Sequence, residues 1–292
     1  MCREKTGADI EMNKQGSYRQ RQRDFGQRIV MKDLSQFSLV YLVPLADLHI
    51  GYPDVALDKI RGYIDWLKNH TNAFTILNGD LMNCATKDST PDLFEDLRTP
   101  DDAYNELRAL LMPIKDKILM ITRGGHEEAI FRRVGADYMA RLAYDLGDIP
   151  YRPDGGMVGI RLERNKHRAV FFIYATHGWG GVRTIGAKIK KVEDLALAVD
   201  ADCYVLSHDH TQAIHRLNVL APPKSRVSVK SPTYLRVERK LLINTGGFIL
   251  YSGYVQRKGY VPSDIGTPRI RLELKNTTKG LVGYYKDLHS SM

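Results

Sequence analysis

The sequence predicts an α/β domain built around a sheet and finished by antiparallel strands. Two observations carry this expectation. The first half alternates short apolar, β-rich runs with segments of helical periodicity, while the chain after about residue 203 reads mostly as strand. The residues with chemical potential also fall just past the ends of the expected strands, where α/β proteins gather their ligands.

Leu39-Val40-Tyr41-Leu42-Val43 is apolar on both faces, as a buried strand requires. Asp54 to His70 reads as a helix, with Val55, Leu57, Ile60, Ile64 and Leu67 at helical spacing and Asp54 as its cap. Ala73 to Leu77 is a second buried strand. Asp101 to Leu111 is a helix with Pro113 soon after its end, and Lys117 to Thr122 is a third strand. Glu127 to Leu146 reads as helix broken at Gly135. Arg168 to Ala175 follows as strand, and Thr184 to Val199 as a helix with Ile185, Ile189, Val192, Leu195 and Ala196 on one side. The remaining strands are Cys203 to Leu206, Ile214 to Leu220, Lys240 to Asn244, Ile270 to Leu274 and Val282 to Tyr285.

Residues 1–37 lack apolar periodicity, and Lys14 to Arg28 is rich in Gln, Arg and Lys, so a flexible basic N-terminal arm is expected before a domain over 38–292. Segment 221–240 carries Lys224, Arg226, Lys230, Arg236, Arg239 and Lys240 against Glu238 alone. It reads as a basic loop or hairpin, either solvated or touching an anionic substrate. A hydrophobic share of 43% with 26% charged residues excludes a wholly disordered chain, a collagen and a coiled coil. The longest apolar run, Leu39 to Ala46, is far short of the ~20 residues of a spanning helix, and no signal-peptide pattern opens the sequence. A cytoplasmic protein with no membrane partner is expected. Three cysteines without paired spacing give no disulfide framework. The net charge of +9 favours a polyanionic partner without naming one.

The chemistry concentrates at five strand ends: Asp47-Leu48-His49, Gly79-Asp80, Gly124-Gly125-His126-Glu127, His177-Gly178 and His208-Asp209-His210. Five of the nine histidines lie there, which scattered surface histidines would not do. In extended chain residues i and i+2 point the same way, so Asp47 with His49, and His208 with His210, can each face one pocket. Mixed carboxylate and imidazole donors suit Mn²⁺, Fe or Zn²⁺ better than Ca²⁺ or Mg²⁺. Two aspartates and four histidines exceed one tetrahedral zinc site, so a two-metal centre fits better.

This series of motifs resembles the calcineurin-like metallophosphoesterase family, over the chain from about residue 38 to 285. The resemblance implies a β-sandwich flanked by helices, a four-layer αββα arrangement, with two divalent ions at the strand ends: Mn²⁺, or Fe, Zn²⁺ or Ni²⁺. It implies that Asp47, His49 and His210 bind the first ion, Asp80 bridges, and His177 and His208 bind the second. It gives His126 a catalytic role, stabilising the transition state and helping protonate the leaving oxygen while a metal-bridging hydroxide attacks phosphorus. Asp209, between two ligands, is expected to point away, beside the site or at the surface. The family carries Asn where this sequence has Gly125, so one donor to the second ion is missing and weakened activity is expected.

The resemblance implies a phosphoesterase, and the basic balance points to a phosphodiesterase acting on nucleic acid or nucleotides. The alternatives are a phosphomonoesterase such as a protein phosphatase, and a degenerate scaffold that binds nucleic acid without turnover. The stretches Asn244 to Phe248 and Gly266 to Pro268 are similar to phage-type members. Trp179 is a candidate for base stacking and Arg183 for a phosphate contact, each against the plainer reading of a packed or solvated side chain.

Overall fold

The computed structural model describes residues 28–84, 98–223, 234–253, 256, 259, 261–276 and 284–291. In chain order the strands are β1 (Val30–Asp33), β2 (Leu39–Leu42), β3 (Ala73–Asn78), β4 (Ile118–Thr122), β5 (Gly156–Arg164), β6 (His167–Thr176), β7 (Cys203–Leu206), β8 (Gln212–Ala221), β9 (Arg236–Thr245), β10 (Arg269–Asn276) and β11 (Tyr284–Ser291). The helices are α1 (Leu57–Asn69), α2 (Pro100–Leu111), α3 (Gly125–Val134), α4 (Tyr138–Asp145) and α5 (Ile185–Ala198). They form a five-stranded sheet, β11-β10-β2-β3-β4, and a six-stranded sheet, β1-β5-β6-β7-β9-β8. Strands β2, β3 and β4 are parallel, as are β6, β7 and β9.

Three apolar layers show how the sheets stack. Val40, Leu42, Phe74 and Ile76 of one sheet meet Ile160, Phe171, Ile173, Val205 and Ile243 of the other. Behind the first sheet, Ile60, Ile64 and Leu67 of α1 and Leu107 and Leu111 of α2 pack on Leu77 and Ile121. Behind the second, Val192 and Leu195 of α5 pack on Tyr204, Leu206 and Leu242. The period of two explains this: Cys203 and Val205 face the other sheet, while Tyr204 and Leu206 face the helix. Burying each such Leu, Ile or Phe contributes ~1.5–3 kcal/mol. The fold is a two-sheet α/β arrangement with helices on both outer faces, as the resemblance implied.

The helix over 127–146 does break at Gly135, which ends α3 at φ 72°. Three expectations are corrected, and one strand is added. The arm does not run to residue 37, because Val30–Asp33 pairs in parallel with β5; residues 1–27 lie outside the described residues. Strand β5 is not among the strands expected from the sequence. Its glycines and arginine hide the pattern, yet Gly159 is what admits Met31, whose sulfur would lie 2.5 Å from any Cβ there. Asp54 does not cap α1, whose N-cap is Ala56; its carbonyl instead accepts the N–H of Leu250. On α5, Ile185 is exposed, while Lys188 and Lys191 are buried.

Segment 221–240 joins β8 to β9, paired from Ala221 with Arg236 to Leu217 with Lys240, so its ends form a hairpin; 224–233 lie outside the described residues. Within it, Arg236 pairs with Glu238 and Lys240 with Asp200. Among the described residues no helix is long and apolar enough to cross a membrane.

Candidate metal centre

The parallel strands β2 and β3 end, but their loops keep hydrogen-bonding in register. The N–H groups of Asp47, His49 and Ile50 donate to the carbonyls of Gly79, Asp80 and Leu81 at 3.0, 3.1 and 2.9 Å. This carries Asp47, His49 and Asp80 to one end of the sandwich. His177 follows β6, and His208 and His210 follow β7, at the same end. Among the described residues eight non-glycine residues have positive φ, and five are Asp47, His49, Asp80, His208 and His210. Left-handed backbone costs a non-glycine residue roughly 1–2 kcal/mol, so the surrounding contacts must hold these turns.

The side chains converge in two groups about Asp47 and Asp80. His210 Nε2 lies 3.3 Å from Asp47 Oδ1 and 3.3 Å from His49 Nε2. His177 Nε2 lies 3.2 Å from Asp80 Oδ2 and 3.3 Å from His208 Nδ1. Donor atoms of Asp47, His49 and His210 lie within 4.8 Å of one another, as do those of Asp80, His177 and His208, and those of His49, Asp80 and His126. Asp47, His49, Asp80 and His177 form a buried floor, with His126, His208 and His210 partly exposed above it.

Charge explains what this pocket would accept. Burial is the largest influence on the Asp47 carboxyl and pushes it up, but His210 and His177 together hold the group below its usual value. Burial likewise opposes ionisation of Asp80, and His177 with His126 pulls it well below. Two buried carboxylates are thus anionic. His49 is held well below the usual imidazole value, by burial first and then by His126 and His210. His49 Nδ1 is buried without a hydrogen-bond partner, and Asp47 Oδ1 is buried with the His210 ring nitrogen facing it, at 3.3 Å. Unpaired buried donors and acceptors are costly, and a cation among these imidazoles and carboxylates would satisfy the set. The residues present fit divalent ions.

Supporting contacts fix the donors. His177 Nδ1 sits 2.8 Å from the Asn78 carbonyl, which assigns one ring proton there and turns Nε2 toward Asp80, where it can bind an ion once its own proton is displaced. Asn78 Nδ2 donates to Thr176 O at 2.8 Å and Ser207 Oγ at 2.7 Å, tying the ends of three strands together. Glu127, the last residue of the third motif, has a structural role that the sequence motif does not reveal. Its Oε2 accepts N–H from Asp80 and Gly124, and its Oε1 from Leu81 and Met82. A buried acid three residues past Gly124 is the sequence signal that could have found it. Asp209 points away from the pocket but is buried rather than on the surface, paired with Lys191 at 2.8 Å.

The remaining residues around the cluster separate clearly. His126 stands over His49, ring centroids 4.7 Å apart, and its N–H donates to Asp80 Oδ1 at 2.9 Å. Gly125 is exposed beside it, and a Cβ built there would meet only Asp80 Oδ1, at 4.0 Å. Trp179 and Arg183 are exposed on the loop after His177, and no hydrogen bond or ion pair among the described residues joins either to the cluster. Arg123 is occupied by Asp137 at 3.0 Å and by Glu128, and Cys84 is buried packing.

A scan of family models and a comparison with curated proteins each gave no match. Among solved structures the chain is similar to a conserved uncharacterized protein of Streptococcus pneumoniae described as a predicted phosphoesterase, at 12% identity over 86% of this chain and 99% of that one, TM-score 0.35. It is also similar to Vps29 of Chaetomium thermophilum, at 15% identity over 86% and 97%, TM-score 0.35. At such scores the likeness carries no weight for the chemistry of the site, which rests on its own side chains.

Proposed function

We propose that this chain is a divalent-metal-dependent phosphoesterase, acting on phosphodiesters of nucleic acid or nucleotides. The observation that carries the reading is the pair of donor groups, Asp47 with His49 and His210, and Asp80 with His177 and His208, converging at one end of the sandwich. These residues would hold two ions, Mn²⁺ being the first to try. Such ions supply a nucleophile from water at neutral pH and charge against the phosphate. The chain's own part is to orient and to move a proton. Asp47 and Asp80, kept anionic, fix the anionic floor, and the Asn78 carbonyl keeps His177 Nε2 aimed inward. His126, partly exposed above the floor, is placed to give a proton to the leaving oxygen. The net charge of +9 supports a polyanionic substrate.

The test is hydrolysis of bis(p-nitrophenyl) phosphate with Mn²⁺ and with EDTA. Turnover that needs the metal supports the reading, and turnover of a monoester in preference moves it to a phosphomonoesterase. Gly125 favours a second reading, a non-catalytic scaffold, since it presents no donor beside Asp80. Salt-dependent DNA binding without metal-dependent turnover of either ester would establish that one.

A further inference from the structure

Helix α5 buries two lysines one turn apart, on the face where an amphipathic helix carries apolar residues. Lys188 Nζ donates to the Asp209 carbonyl at 3.0 Å and to Thr211 Oγ1 at 2.6 Å. Lys191 Nζ donates to both carboxylate oxygens of Asp209, at 2.9 and 2.8 Å, and reaches the Gly180 carbonyl at 3.4 Å. Asn244 Nδ2 adds a contact to Asp209 Oδ2 at 3.3 Å. Asp209 is the residue between His208 and His210, both of which sit in left-handed backbone at φ 75° and 49°. Gly180 lies on the loop that begins at His177.

A buried ion pair is a poor source of net stability, because desolvation offsets its attraction, but it fixes geometry well. Here that geometry is the relation between two loops. One carries His177 and the other His208, whose ring nitrogens stand 3.3 Å apart. We infer that Lys191, acting through Asp209 and Gly180, is a positioning residue that sets His177 against His208 for the second ion. This rests on the metal reading above. The second position depends on it most, because Gly125 offers no side-chain donor there.

The experiment is calorimetric titration of the metal-stripped chain with Mn²⁺, for wild type, Lys191→Met, Lys191→Arg and the double variant Lys191→Met/Asp209→Asn. Wild type is expected to bind in a tight and a weaker step. In Lys191→Met the weaker step should fall by about 10-fold or more, with the tight step nearly unchanged, and Lys191→Arg should restore it. The double variant removes both charges of the Lys191–Asp209 pair but leaves buried Lys188 facing only the neutral Asp209 carbonyl and Thr211 Oγ1, so its melting temperature in EDTA serves as the control on folding, and the weaker step should stay lost. Wild-type binding in Lys191→Met or in the double variant overturns the inference. So does a loss of both steps in parallel with the melting temperature, which marks a purely structural role. A wild-type chain that takes up no Mn²⁺ overturns the metal reading itself, a result distinct from the other two.

Discussion

The carboxylate of Glu127 accepts the backbone N–H of Asp80 at 3.0 Å, from inside the turn that aims Asp80 into the pocket. Three further N–H groups, of Leu81, Met82 and Gly124, point at the same carboxylate. Glu127 is therefore the core of the loop after β3, and it ties that loop to the start of α3. Glu127→Ala strands these buried donors without water, which costs about 3 kcal/mol or more. Glu127→Gln keeps the shape but turns one acceptor into a donor facing donors, a smaller loss. Urea unfolding in EDTA checks this; an alanine variant within about 0.5 kcal/mol of wild type would refute it.

The metal-free protein should lose stability at alkaline pH. Burial alone would lower the His177 pKa, but the Asp80 carboxylate 3.2 Å away overrides it, and the imidazole is pushed up to about 10. An unfolded imidazole titrates near ~6.5. A folded value above the unfolded one gives stability that is complete below about pH 6.5 and is lost as pH rises through about 10. A divalent ion competes for that proton, so Mn²⁺ affinity should rise over the same window and flatten the dependence. Melting temperatures from about pH 7 to 10, with EDTA and with Mn²⁺, test both halves. A flat profile in EDTA would count against the His177–Asp80 pairing.

The convergence of these side chains was legible because the residues lie close in sequence, although Asp47, His49, His208 and His210 meet through left-handed turns and not through the extended chain expected. Asp47 with His49, and His208 with His210, sit at spacing i and i+2 beyond apolar strands, a pattern that needs no knowledge of distant residues. What was hidden depends on partners far along the chain. Strand β5 is interrupted by Gly159, whose purpose is visible only beside Met31. Lys188 and Lys191 read as solvated charges until Asp209, some twenty residues on, is seen to meet them in the interior. The start of α5 fared the same way: a helical wheel places Ile185 inward, but the loop carrying Asp209 takes that face for the lysines.

His126 should matter to turnover and little to metal uptake. Its ring stacks edge-on over His49, 4.7 Å between centroids, and it is partly exposed where the floor residues are not. His126→Gln keeps the backbone N–H that Asp80 accepts, since that bond is independent of the side chain. On the reading proposed above His126 is the general acid, and removing such a group lowers kcat by about 10²–10⁴-fold. Mn²⁺ stoichiometry should stay at the wild-type value. A parallel loss of bound metal would show instead that His126 is a ligand, as its proximity to His49 and Asp80 permits.

Gly125→Asn is the converse change, a gain. Gly125 opens α3, is solvent-exposed, and has space for a Cβ whose nearest neighbour is Asp80 Oδ1 at 4.0 Å. By contrast Gly124 has none: a Cβ there would lie 2.1 Å from the Asp80 nitrogen. An asparagine at 125 therefore fits without moving the backbone, and on the reading proposed above its amide oxygen would give the second ion a further donor beside His177 and His208. The weaker Mn²⁺ step should tighten by about 10-fold or more, and diester turnover at limiting metal should rise with it. Gly124→Ala, the control on the neighbouring residue, should instead disrupt the loop. Unchanged titration and rate in Gly125→Asn would mean that the glycine is no defect, and that the second ion is held fully by Asp80, His177 and His208.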